Sequence, residues 1–261
     1  MKSSIVGAAV HDRAAGDFVA GVTVSVVSHG HEALLQRLLE QIEATGSGLV
    51  AHVILTHNLP AGPTEPPPGG WSFEWTELFN ARPAGFGANH NRAFTHCKTR
   101  FYCILNPDVD LIDPSVWRAL MSCAWEQNAG CVYPKLLDTD GSPQDHERAA
   151  VTPAALFRRH FLRQPEVCRD WVSAAFWLVP STVYQQLGGF DESYFMYCED
   201  TDFCLRLQLG GWALARCEAV AVHAASRSSR RKFSYFLWHV RSLIRLWSGT
   251  VLRRYLAMRV A

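Results

Sequence analysis

Residues 101–112 read FYCILNPDVDLI. An apolar run up to Leu105 breaks abruptly into Asn106-Pro107-Asp108-Val109-Asp110. Such a run reads as a strand buried on both faces, as in a parallel sheet covered by helices. Pro107 stiffens the exit, and two carboxylates follow at the strand's carboxyl end, where ligands of open α/β sheets sit. Two carboxylates one residue apart in an extended turn can share a hard cation, whose shell is completed by phosphate oxygens and water. Asn, Pro and Asp are equally the residues of an ordinary turn, and the stretch alone leaves both readings open.

Working outward, VTVSVVS (22–28) is a β-branched run that reads as a buried strand. Residues 32–44 then place Leu34, Leu35, Leu38, Leu39 and Ile42 on one helical face. AHVILTHN is a second strand, PAGPTEPPPGG a surface loop, and WSFEWTELFN a third strand. GFGANHNRAFTHCKT reads as a glycine turn opening a short helix, which leads into the stretch at 101. Strands alternating with helices imply an α/β fold around a mostly parallel sheet. In the second half, DPSVWRALMSCAWEQ reads as a helix, DWVSAAFWLVPS as one apolar strand, and STVYQQLGGFDES as a short helix stopped by Gly188-Gly189. EDTDFCLRLQLGG reads as a helix opened by acids, and WALARCEAVAVH as a strand pair ending at His223.

The chain has 261 residues, 48% hydrophobic, with a formal net charge of +1, so nothing in its overall charge favours nucleic acid. The positive charge is local: from Arg227 onward there are nine Arg and Lys residues and no acid. None of the eight cysteines forms a Cys-x-x-Cys pair, which argues against structural zinc and suits reduced thiols in a cytosolic protein. The N-terminus lacks the apolar core of a signal peptide, and no run is long enough to span a bilayer. The expected location is cytoplasmic, with peripheral contact on the inner face of the plasma membrane left open.

Two further places carry chemistry. YFMYCEDTDF crowds Glu199, Asp200 and Asp202 behind aromatic residues. The helix macrodipole alone accounts for acids there, but a carboxylate in partly apolar surroundings also suits a general base. His223 ends a strand, either as a hydrogen-bonded structural residue or, if it faces Asp108, as a metal ligand. Dinucleotide, Walker, zincin and serine-hydrolase patterns are all absent.

The order of these pieces resembles the inverting, nucleotide-sugar-dependent glycosyltransferases of family two, which have the GT-A fold, and within them the rhamnosyltransferase-like branch. VTVSVVSHGH, AGFGANHNRAF, LNPDVDL, DGSPQDHERAAVTP, GGFDESYFMYCEDTDFCLRL and VAVHAASRS carry the resemblance, over roughly residues 22–228. It implies a Rossmann-like mixed, mostly parallel sheet flanked by helices, with a C-terminal basic amphipathic helix. Residues 1–20 would be a lead-in, 21–228 the transferase domain (a donor half at 21–112, an acceptor half at 113–228), and 229–261 the basic segment. Ser28, His57, Asn58, Gly85, Phe86, Asn91 and Asp108 would bind the donor. Asp108, Asp110 and His223 would hold Mg2+ or Mn2+ on its diphosphate. Asp200, with Glu199 beside it, would deprotonate the acceptor, which Trp171, Glu199 and Arg206 would contact. The sequence departs from the family pattern at His57, where an acid is usual, at Pro83, where asparagine is usual, and at Ala174, where glycine is usual.

The implied activity is transfer of a sugar with inversion to a saccharide or lipid-linked saccharide acceptor, in bacterial surface polysaccharide synthesis, with dTDP-rhamnose the narrower donor. The rival is a catalytically silent sugar-nucleotide-binding or scaffold protein of a glycan assembly complex. A homodimer is left open. Phe233, Phe236, Leu237, Val240, Ile244 and Trp247 fall at helical spacing among arginines. That helix could pack on the domain or lie on an anionic membrane; both hold if only its distal part meets lipid.

Overall fold

The computed structural model describes residues 18–161, 169–224 and 233–260. Most of the lead-in, Cys168 and the basic run 225–232 lie outside these. The chain runs β1 (Val19–Ser28), α1 (Glu32–Gly46), β2 (Val50–His57), β3 (Glu74–Phe79), α2 (Phe86–Phe94), β4 (Thr99–Leu105), β5 (Val109–Asp110), α3 (Val116–Glu126) and β6 (Ala129–Leu137). It continues with β7 (Glu147–Arg148), α4 (Pro153–Phe161), β8 (Trp171–Val172), β9 (Phe176–Pro180), α5 (Ser181–Gln186), α6 (Glu199–Leu209), β10 (Ala213–His223), α7 (Phe233–Ser248) and α8 (Thr250–Val260).

Eight strands form one sheet in the order β3-β2-β1-β4-β9-β6-β10-β5, and β7 pairs with β8 separately. β9 lies antiparallel between β4 and β6, and β5 lies antiparallel on β10; the remaining pairs are parallel. Strand alternation sorts the core onto two faces. Val24, Val26, Cys103, Leu105 and Leu178 pack with Leu38, Ile42 and Trp117 of α1 and α3. Tyr102, Ile104, Trp177 and Val179 pack with Phe94, Tyr184 and Phe203 of α2, α5 and α6. Both faces are buried, which is why these strands read as continuous apolar runs.

The structure departs from the sequence expectations in four places. DWVSAAFWLVPS divides into β8 and β9, because Ser173 turns its amide to the His146 carbonyl (3.0 Å). WALARCEAVAVH is a single strand, β10, with a register shift between Arg216 and Val220 in place of a turn. AGCVYPKLL, to which no element was assigned, forms β6. The tail is two helices separated by Gly249, and among the described residues no helix is long and apolar enough to cross a membrane.

The sheet must curl. β4 is the fourth strand and β5 the eighth, yet only Asn106, Pro107 and Asp108 join them. Four strand spacings in a flat sheet come to roughly 19 Å, whereas the four residue steps from Leu105 to Val109 reach at most about 14 Å. Curling brings the carboxyl end of β10 toward that of β4.

A second constraint is a turn. Gly189 has φ +69°, and a Cβ there would lie 2.3 Å from Asn91 Oδ1. That oxygen accepts from Phe190 N–H (2.9 Å) and Tyr184 O–H (2.7 Å), tying α2 to the turn that leads toward α6. Gly189→Ala therefore combines backbone strain with overpacking and should cost about 2–4 kcal/mol, read as a lowered melting temperature.

Candidate active site

The carboxyl ends of β1, β2, β4 and β10 share one rim of the sheet, the end at which an α/β fold presents its ligands. Ser28 and His57 are register partners there, and the Asn58 amide donates to the Ser28 carbonyl (2.8 Å). Asn58 clamps the next turn with both ends of its side chain: Oδ1 accepts from the Ala84 amide (2.8 Å), and Nδ2 donates to the Ala84 carbonyl (3.0 Å). His57 is buried, stacked on Phe79 (4.7 Å between centroids), with Nε2 2.8 Å from Glu77 Oε1. An acid does stand at this place, but β3 supplies it. Burial raises the Glu77 carboxyl, but the His57 and Thr64 hydrogen bonds outweigh it and hold the group below its ordinary value.

Asp108 and His223 meet at the other side of the rim. β5 pairs with the end of β10, the Ala224 amide donates to the Asp108 carbonyl (2.9 Å), and Asp108 Oδ1 lies 3.3 Å from His223 Nε2. Burial would raise the Asp108 carboxyl, but when the His223 ring is protonated its hydrogen bond and charge prevail and lower it. Gln144, which the sequence reading passed over, fixes the ring. Its Nε2 donates to Asp138 Oδ1 (2.9 Å) and to the His223 carbonyl (3.2 Å), so its Oε1 faces His223 Nδ1 at 2.7 Å. Nδ1 must then carry a proton, and in the neutral ring the Nε2 lone pair points at a carboxylate. Two acceptors facing one another call for a cation or a proton between them. Cis ligands of octahedral Mg2+ lie about 3.0 Å apart, near the observed 3.3 Å, so the pair fits a divalent ion.

Asp110 does not join them. It pairs with Arg37 (2.9 Å) and accepts from Gln41 (3.3 Å), because β5 turns its side chain toward α1. Among the described residues no group of three or more His, Cys, Asp or Glu could hold a metal. A cation here would have two protein ligands, with diphosphate and water completing its shell.

The second acidic place stands at the start of α6. Tyr197 (φ 72°) and Cys198 (φ 64°) both adopt the left-handed region, unusual for non-glycine residues and a form of strain that clusters at functional sites. The strain turns the chain so that α6 opens on Glu199 and Asp200. Glu199 is buried, and its Oε2 has no hydrogen-bond partner. Burial and the adjacent Asp200 charge push its carboxyl well above the ordinary range. Asp200 accepts from the Thr201 amide (2.7 Å), and burial pushes its carboxyl up to about 6, with Arg148 pulling the other way. The strip from Gln144 to Arg148 thus reaches from the Asp108–His223 pair to Asp200.

Gly85 and Phe86 join the two halves. Phe86 N–H donates to the Phe195 carbonyl (3.0 Å), and a Cβ on Gly85 would lie 2.8 Å from that oxygen. Three other expected contact residues are bonded to neighbours within the fold. Asn91 exhausts its amide on Phe190, Tyr184 and Glu192, so it braces the turn at Gly189 and Phe190. Arg206 turns back to Asp202 (2.6 Å) and the Leu187 carbonyl (2.8 Å), latching α6 to α5. Trp171 is a core residue whose Nε1–H donates to the Ala149 carbonyl (2.9 Å), with the Arg148 guanidinium over its ring at 5.5 Å.

No protein-family model matches the chain. It is similar to rhamnosyltransferase WbbL of Escherichia coli K12, at 26% identity over 86% of this chain and 91% of the relative. It is also similar to the N-acetylglucosaminyl-diphospho-decaprenol L-rhamnosyltransferase of Mycobacterium tuberculosis, at 30% identity over 53% of this chain and 52% of that one. Among solved structures, the mannosyltransferase PcManGT of Pyrobaculum calidifontis, in complex with GDP-Man and Mn2+, superposes with a TM-score of 0.56 at 13% identity, over 93% of this chain and 76% of that one. S. aureus TarS 1–349 gives 0.53 at 13% identity, over 79% and 58%. The chain is a GT-A-type glycosyltransferase. Within that fold, its sequence likeness falls on the rhamnosyltransferase branch. For a glycosyltransferase, an elevated carboxyl pair beside the rim is the group to test.

Because the folded-state carboxyl of Asp200 is raised, its protonated form favours the fold. That contribution is fully present below about pH 4 and lost as pH rises through about 6. Asp200→Asn should therefore be more stable than the wild type at pH 7.5, on the order of 1–3 kcal/mol. Melting temperatures of the two should converge below pH 4. Equal stability at both pH values would show that Asp200 is not held against burial.

Proposed function

We propose that the protein transfers a sugar with inversion from a nucleotide-diphosphate donor to a hydroxyl of a saccharide or lipid-linked saccharide, in the synthesis of a bacterial surface polysaccharide. The narrower donor, dTDP-rhamnose, is supported by sequence likeness to two rhamnosyltransferases. The observation that carries the reading is the pairing of Asp108 with a tautomer-locked His223 on the rim that also receives the strained turn before Asp200.

Each group then has a task. Ser28, His57 and Asn58 receive the nucleoside at the ends of β1 and β2, with Glu77 supplying the acid beside His57. Asp108 and His223 would hold a divalent cation, which would supply Lewis acidity to the diphosphate leaving group. A sugar hydroxyl is a weak nucleophile, so Asp200 accepts its proton as the new glycosidic bond forms. A carboxyl raised to about 6 is mostly ionised at neutral pH yet more basic than a surface aspartate. Burial and the adjacent Asp200 charge raise the Glu199 carboxyl, which favours one negative charge over two facing the acceptor. Attack from the face opposite the leaving group passes through an oxocarbenium-like state and inverts the anomeric carbon.

Three measurements with Mn2+ test this. Nucleotide-sugar turnover by Asp200→Asn should fall by about 10²–10⁴; turnover equal to the wild type would sink the base assignment. Gln144→Leu should weaken Mn2+ binding, followed by electron paramagnetic resonance with nucleoside diphosphate, by about 10–100-fold. Binding of a nucleotide sugar without turnover by the wild type would favour the silent scaffold.

A further inference from the structure

The C-terminal helices divide their work in an order opposite to the sequence expectation. The distal helix, α8, is docked. Leu252 and Tyr255 are buried, Tyr255 O–H donates to Asp170 (2.9 Å), and Arg259 pairs with the same carboxylate. The proximal helix, α7, is two-faced. On one side Leu246 is buried, Ser242 O–H donates to the Met196 carbonyl (2.8 Å), and Trp238 packs on Phe195 (4.8 Å). On the other side Phe236, Leu237 and Ile244 are 62%, 50% and 58% exposed, with Val240 half-buried between them at i, i+4 and i+8 spacing.

We infer that this outer face of α7 seats the protein on an anionic bilayer surface. The apolar residues occupy one arc of the helix, and Arg241, exposed, follows directly around it. Arg245 comes next and is held by Asp191 (3.2 Å). No acid occurs from Arg227 to the C-terminus, so nothing in the segment's own sequence repels a negative surface. Apolar side chains bordered on one edge by arginine, on a helix lying flat against its own domain, are the arrangement of an interfacial helix. The same helix packs on Phe195, Met196 and Tyr197, the residues just before Glu199 and Asp200. A membrane on α7 would therefore bring the proposed acceptor-activating carboxylates near the lipid headgroups.

The inference does not rest on the sugar-transfer reading, because vesicle binding is measured without donor or acceptor. The full chain should co-sediment with vesicles of phosphatidylglycerol and phosphatidylethanolamine, weakly or not at all with phosphatidylcholine, and less at high salt. Leu237→Glu with Ile244→Glu should weaken that binding by more than tenfold, and Arg241→Glu by roughly tenfold. All three positions lie on the outer face, so circular dichroism and melting should match the wild type. Trp125→Ser, which removes an exposed aromatic elsewhere (72% exposed), should change nothing. Absence of binding to anionic vesicles, or unchanged binding by the α7 variants, would overturn the inference. A dimer in light scattering that the Leu237 and Ile244 changes dissolve would overturn it too, by making the face a self-association surface.

Discussion

The crossing at Asn106, Pro107 and Asp108 governs the geometry of the rim. The link is too short to pass a flat sheet, so the sheet curls and the end of β10 is drawn toward the end of β4. Asp108 sits at the end of the crossing and His223 at the end of β10, which is how two residues more than a hundred positions apart come within 3.3 Å. The backbone secures the meeting before the side chains do: the Ala224 amide bonds the Asp108 carbonyl, and Val109 registers with His223. Gln144 then adds direction, for without its carbonyl oxygen either ring nitrogen of His223 could carry the proton.

What the sequence disclosed and what it hid follow from the range of the forces involved. β1, β2, β4 and α1 were legible because burial imposes a period on a single segment, and VTVSVVS, FYCIL and the Leu35–Ile42 face each display it. β10 was misread as a pair because a register shift and a turn look alike when only local residues are visible. β6 was missed because Pro134 weighs against a strand locally, while pairing to β10 is not local. The same limit applies to the site. Asp108 and Asp110 look equivalent in Asn-Pro-Asp-Val-Asp, and only the neighbours distinguish them: Arg37 and Gln41 of α1 for one, His223 for the other. Gln144 carries no local signal at all, since a glutamine in a polar loop is unremarkable until an imidazole is found 2.7 Å away.

The acidic turn shows a different economy. Consecutive left-handed residues at Tyr197 and Cys198, a buried Glu199 oxygen without a partner, and an elevated Asp200 are each unfavourable to the fold. They persist because their surroundings are over-determined. Asn91 spends its whole amide on holding the preceding turn, Gly189 leaves room for it, and Arg206 latches α6 from behind. Asn91 and Arg206 thus fix the frame in which the carboxylates of this turn are held.

That frame extends into α7. The loop 194–198 touches the Gly85 turn on one side and α7 on the other, through the Phe195 carbonyl and the Phe195–Trp238 contact. A shift of α7 is therefore felt first by the strained residues that precede the carboxylates, and through Gly85 by the proposed donor turn. α8 opposes such a shift, since Tyr255 and Arg259 converge on Asp170, which also accepts the Ala150 amide at 2.7 Å and so anchors the strand that carries Arg148. The tail is consequently a brace built onto the second half of the chain, with its far helix fixed to the same chain segment that tunes Asp200 and its near helix left apolar on the outside.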